Sequence, residues 1–167
     1  MIDDLSRTAL DRAMAAGYLF VRKATVTLTH AQILRLPSGW SDPTYAVVLV
    51  PAVPDHRIWP LMTFSSSSGC AAHPYTNING GSLVVGQDSA SMIWLGVTDA
   101  TELLTADNYV IATYPWASTS GGSGARTFEQ RLITPDNNLY LSSDNGDDFT
   151  GGDPENTLTI TVAYVVI

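Results

Sequence analysis

Three histidines, one cysteine and a run of carboxylates are the side chains of this 167-residue chain with the chemistry for metal ligation or catalysis. His30, His56 and His73 stand at none of the short spacings a zinc site uses. Cys70 precedes His73 by three residues, which offers two ligands but no second pair to complete a tetrahedron. Set between Gly69 and Ala71, Cys70 reads more simply as a small packed residue than as a reactive thiol. Asp55-His56 places a base beside an orienting carboxylate, but no Gly-x-Ser-x-Gly elbow supplies a nucleophile, and Ser65 to Ser68 read as a low-complexity loop. Gly121-Gly122-Ser123-Gly124 lacks the Gly-Lys-Ser/Thr ending of a phosphate loop and reads as a surface loop.

The acidic run Asp144-Asn145-Gly146-Asp147-Asp148, followed by Asp153 and Glu155, invites comparison with a calcium loop. Its glycine comes three positions too early for the D-x-[DN]-x-[DN]-G template. The run therefore reads as an exposed acidic loop with an Asn-Gly turn, an irregular calcium site being the alternative. Glycoside hydrolysis needs two facing carboxylates with divided roles, whereas acids crowded into one loop repel one another. The expectation is a non-enzymatic protein with no catalytic residue, cofactor or metal.

Sugar recognition is a separate possibility, because sugars stack on exposed rings. Of Trp59, Trp94, Tyr75, Tyr114 and Tyr140, most fall within or at the ends of expected strands, where core packing or subunit contacts account for them. Trp40 and Trp116 lie in Pro/Ser/Gly loops and are the candidate glycan contacts.

The elements that would position these residues follow from the hydrophobic period. Over residues 2–20, Ile2, Leu5, Ala9, Ala13, Ala16 and Phe20 recur at three- and four-residue spacing, which predicts a helix ending near Gly17. So short a helix is marginal alone, and its apolar face needs a partner surface. That surface is either its own domain or another subunit; in the second case Leu5, Ala9 and Ala13 are the contacts. From Thr25 the period becomes two. Thr25 to Leu28 reads as a strand, and Thr29-His30-Ala31-Gln32 has the spacing of a capping box that opens a short helix over Ala31 to Leu36.

Seven further strands are expected: Tyr45 to Val50, Arg57 to Phe64, Ser82 to Val85, Met92 to Val97, Tyr109 to Tyr114, Leu139 to Ser142 and Leu158 to Ile167. Pro60 marks an edge or a bulge in the second of these. Asp99 to Leu104 fits one helical turn. Eight short strands without a βα alternation predict an all-β, jelly-roll-like antiparallel β-sandwich over residues 24–167, preceded by a short N-terminal helical arm over 1–23. Leu158 to Ile167 is the most strand-prone segment. Left unpaired it would template aggregation, so it is expected between other strands or between subunits, with Ile167 a candidate subunit contact.

Composition narrows the partners. Charged residues make up 14% of the chain against a globular average of about 25%. The formal charge is −8, Lys23 is the only lysine, and no basic stripe exists for phosphates, which argues against nucleic acid. Residues 1–100 carry seven acids and six bases, and residues 101–167 nine acids and two bases, so the acidity lies in the C-terminal third. No apolar stretch approaches the roughly 18 residues of a membrane span, and the opening Met1-Ile2-Asp3-Asp4 is not that of a signal peptide.

Four stretches resemble a loosely defined group of small virion proteins of tailed bacteriophages. They are Val26-Thr27-Leu28-Thr29-x-Ala31-Gln32-Ile33, the strand ending Val50-Pro51-Ala52, Ala72-His73-Pro74-Tyr75 before Asn77, and the closing Leu158-x-Ile160-x-Val162-x-Tyr164-x-Val166. The resemblance spans about residues 25–167 and leaves the helical arm uncovered. It implies a self-associated β-sandwich component of the particle without enzymatic activity. On that basis the expectation is a capsid decoration, or cement, protein: a homo-oligomer, trimer favoured, bound to the major capsid protein on the capsid surface of a virion assembled in the host cytoplasm. The alternative is a tail-associated receptor- or glycan-binding module using Trp40 or Trp116.

Overall fold

A computed structural model describes residues 20–42, 44–87, 93–113 and 135–166, without side chains over 93–98 and 112–113. Its elements in chain order are β1 (Arg22–Leu28), α1 (His30–Leu34), a 3-10 turn (Ser38–Trp40), β2 (Val47–Val50), β3 (Ile58–Ser68), β4 (Tyr75–Thr76), β5 (Ser82–Gln87), β6 (Ile93–Asp99), α2 (Ala100–Leu104), β7 (Tyr109–Thr113), β8 (Leu139–Ser143), β9 (Thr150–Gly151) and β10 (Thr157–Val166). The long strands form two four-stranded sheets, ordered β1-β10-β3-β7 and β2-β8-β5-β6, while β4 pairs with β9. Numbered one to eight along the chain, the eight long strands pair 1:8, 2:7, 3:6 and 4:5, all antiparallel. These are the pairs of one long hairpin wound on itself, so the architecture is the expected jelly-roll-like antiparallel sandwich.

Alternation explains why the sheets face one another. Leu158, Ile160 and Val162 on β10 are fully buried while Thr157, Thr159 and Thr161 between them are not. Against them lie Val47, Leu49, Leu83, Val85, Leu139 and Leu141 of the second sheet, all in one buried cluster. As its composition requires, β10 lies inside a sheet, between β1 and β3. The bulge expected at Pro60 is present: Ala163 pairs with Met62 and Tyr164 with Pro60, so the ladder shifts there. Because β7 begins its pairing with β3 only at Met62, the missing N–H of Pro60 costs no bond on that side.

Several boundaries differ from the sequence reading, each for a local reason. Ser65 to Ser68 are not a loop; they extend β3, with Ser65 buried and the Ser67 hydroxyl donating to the Ala106 carbonyl at 2.8 Å. Tyr45 is not yet strand, because the Asp42 carboxylate accepts from Thr44 N at 2.9 Å and Tyr45 N donates to Asp42 O, holding a turn. The capping box is present: Gln32 Oε1 accepts from Thr29 N at 3.0 Å and Thr29 Oγ1 from Gln32 N at 3.4 Å. The helix nevertheless stops at Leu34 rather than Leu36. Leu34 O accepts from Phe149 N at 3.1 Å, outside the helix, and Leu36 O is shared between Gly39 N of the following turn and Ser143 N at the end of β8, both at 3.1 Å. The helical turn after Asp99 forms as α2, with the Asp99 side chain accepting from Thr101 N.

Truncating the inward and outward residues of β10 should therefore differ. Leu158→Ala is expected to cost about 2–5 kcal/mol in urea unfolding, against less than about 1 kcal/mol for Thr161→Ala. Equal effects would contradict this assignment of faces.

Candidate functional site

The groups with chemical potential are dispersed. His30 opens α1, and its Nδ1 meets the Tyr75 hydroxyl at 3.0 Å with the two rings stacked 5.6 Å apart. His56 is exposed and its Nδ1 lies 2.6 Å from Pro54 O. His73 is exposed as well; its carbonyl accepts from Asn156 Nδ2 at 2.6 Å. Among the described residues, no three of His, Cys, Asp or Glu come together as a metal site would need. Cys70 is fully buried, in keeping with the packed reading. Burial, assisted by the charge of Asp107, pushes its thiol up to about 11. Burial likewise raises the Tyr75 phenol to about 12.

These raised values have a sign. The unfolded chain gives up the Cys70 proton near its ordinary 9.0, while the folded chain holds it until about 11. The stabilisation is complete below pH 9 and is lost as pH rises through 11. The urea midpoint is expected to fall across pH 9–11, less steeply in Cys70→Ala; a midpoint flat with pH, or an equal slope in the variant, would contradict it.

The acidic loop is not simply solvated, because two of its carboxylates are hydrogen-bonded to other elements. Asp148 Oδ1 accepts from Ser38 N at 3.1 Å and Ser38 Oγ at 2.6 Å, and Oδ2 from Arg35 Nη1 at 3.2 Å. Asp144 Oδ1 accepts from Ser82 N at 2.6 Å. Asn145 is buried, its Nδ2 donating to the Asn77 and Asp147 carbonyls. The loop thus fastens the turn after α1 to the start of β5. Arg35, which also lies 4.4 Å over the Tyr45 ring, is half exposed, so its ion pair contributes little. The Ser38 bonds matter more: Asp148→Ala is expected to cost about 1 kcal/mol of stability, measurable by thermal unfolding, while Arg35→Ala costs less.

Of the residues singled out from sequence, Trp40 ends the 3-10 turn and is half-buried. Leu5, Ala9, Ala13, Trp116 and Ile167 lie outside the described residues. Sequence reasoning missed the surface that the sandwich creates. On the outer face of the first sheet, the register aligns Lys23, Ala163 and Met62 in one row, then Thr25, Thr161, Phe64 and Ile111, then Thr27, Thr159, Ser66 and Tyr109. Lys23 is the one charge in these rows. The β1 and β10 half is closed upon itself, since Thr25 bonds Thr161 and Thr27 bonds Thr159, hydroxyl to hydroxyl, at 2.9 Å.

The β3 and β7 half is apolar and open. Tyr109 is 66% exposed, Ile111 54%, Phe64 39% and Met62 37%, with Phe64 and Tyr109 stacked 6.0 Å apart. By contrast, Val84 and Ser142, paired on the outer side of the second sheet, are fully buried. Alternation could have placed Met62 and Phe64 on one face, but only the pairing of β3 with β7 adds Tyr109 and Ile111.

No protein-family model and no curated protein matches the chain. A solved structure, the capsid of Ralstonia phage GP4, superposes on 88% of this chain and 83% of its own with a TM-score of 0.36 and 15% identity. At that level the likeness adds nothing to the strand order already given.

Proposed function

We propose that the chain is a non-enzymatic structural component of a tailed-phage virion, a capsid decoration protein that coats the head lattice as a homo-oligomer, the trimer favoured. The observation that carries this reading is the outer face of the first sheet: almost uncharged, and lined on one half by exposed Met62, Phe64, Tyr109 and Ile111. Aromatic and methionine side chains with few charges are the composition of a buried interface core. The virion-like opening and closing strands, Val26 to Ile33 and Leu158 to Val166, supply the kind of assembly. The 14% charged composition suits a protein most of whose neighbours are protein. In this reading, each copy buries modest apolar area at junctions with its own kind and with the major capsid protein, and repetition over the lattice multiplies weak contacts into avidity.

The test is the copy number of the chain in purified particles, measured by quantitative mass spectrometry. Hundreds of copies are expected. A handful would favour a tail-tip module, with Trp40 and Trp116 the positions to test for glycan binding, and absence from particles would overturn the virion reading altogether.

A further inference from the structure

Asparagine is followed by glycine twice in the chain, at Asn79-Gly80 and Asn145-Gly146. In this dipeptide the glycine nitrogen, unhindered by a side chain, can add to the asparagine Cγ. The side-chain nitrogen then leaves as ammonia with the glycine proton, and water opens the resulting succinimide to aspartate or isoaspartate. The fold sets the two copies side by side, since a Cβ on Gly81 would stand 2.8 Å from Asn145 Cβ. Both glycines are open, because a Cβ on Gly80 or Gly146 would meet nothing within 4 Å. The asparagines differ. Asn79 is exposed at the turn joining β4 to β5, where φ is 49° at Asn79 and 74° at Gly80, and Gly81 N donates to Ile78 O at 2.7 Å. That is the pattern of a type I′ turn. Among the described residues, Asn79 Nδ2 makes one hydrogen bond, to Asn77 Oδ1 at 2.8 Å. Asn145 is buried, its Nδ2 donating to two backbone carbonyls and its own N–H to Ser143 Oγ at 3.3 Å.

We propose that Asn79 is a self-modification site, deamidating within the folded chain while Asn145 beside it is protected. Ring closure needs rotation about the bond from Asn79 Cα to its carbonyl carbon, so the turn must open first. Opening parts Gly81 N from Ile78 O and Asn79 Nδ2 from Asn77 Oδ1, both at the surface, and so belongs to the least costly local motions of the fold. At Asn145 the amide must instead leave two carbonyls in a buried site, which leaves them without their donor. The product at residue 79 adds one negative charge to the formal −8 and sets an oxygen where an N–H faced Asn77 Oδ1. Two oxygens do not share a hydrogen bond, so the Asn77 amide turns over. That takes its Nδ2 off the Asp148 carbonyl, which it now meets at 2.8 Å. Asp148 is the acid that holds Ser38, and the change at one turn tip thereby loosens the lacing of the acidic loop.

The test is to hold the full-length chain, folded, in mildly alkaline buffer and to follow both sites by peptide mass spectrometry. Trypsin separates them, because Arg57, Arg126 and Arg131 place Asn79 and Asn145 in different fragments. Aspartate and isoaspartate are expected to accumulate at residue 79 at least about tenfold faster than at residue 145, the difference that one or two extra hydrogen bonds make to opening. In urea the two rates are expected to converge. Equal rates in the folded chain, or a ratio that persists in urea, would overturn the proposal. Asn79→Asp, which copies one product, is expected to lower the thermal midpoint in the parent chain but not in an Asn77→Gly background, where no amide is left to turn over and glycine fits the φ of 61°. An Asn79→Asp midpoint equal to the parent's, or one lowered equally in both backgrounds, would overturn the link to the acidic loop.

Discussion

The backbone ladder of β10 is the constraint on which the rest of the molecule depends. Its pairing with β1 and β3 sets the register of three strands of one sheet at once. Because side chains alternate with a period of two, a slip of one residue would exchange Leu158, Ile160 and Val162 for the threonines between them. The core would then face hydroxyls and the surface would be a continuous apolar sheet. Both edges of β10 are occupied, so its β-branched run, which alone would recruit another chain, is consumed within the fold. The bulge opposite Pro60 is where this ladder gives way, next to the residue that cannot donate to it.

A consequence of this register is a sheet with two unlike halves. Threonine meets threonine across β1 and β10, and the paired hydroxyls leave that half polar, closed and uncharged. Across β3 and β7 the cross-strand neighbours are Phe64 with Ile111, with Tyr109 stacked on Phe64. β7 is also an edge strand that pairs without a bulge and carries neither lysine nor proline, the usual devices by which an edge is kept from other chains.

Much of the sandwich was legible in the sequence, because alternation and turn residues are local signals. The eight long strands, the Thr29 to Gln32 capping box, the helical turn after Asp99 and the Pro60 bulge were all readable in that way. What failed depended on distant partners. Ser65 to Ser68 lack apolar side chains, and they became strand because β10 and β7 hold them from either side. The two-residue strands β4 and β9 have no period at all and exist only as each other's partner. The acidic loop read as solvated because the Ser38 and Ser82 amides that its carboxylates accept from lie 110 and 62 residues away in sequence.

The sequence by itself determined which segments extend, which side of each is apolar, and that β10 must be paired. Hydrophobic period, β-branching and capping chemistry act within a few residues, so they are written locally. Only the tertiary structure decided which strands neighbour which, and hence that four apolar residues from β3 and β7 share one open face while four threonines close the other half. Strand order is a choice among long-range pairings of nearly equal local merit, and packing the two sheets around one core selects among them.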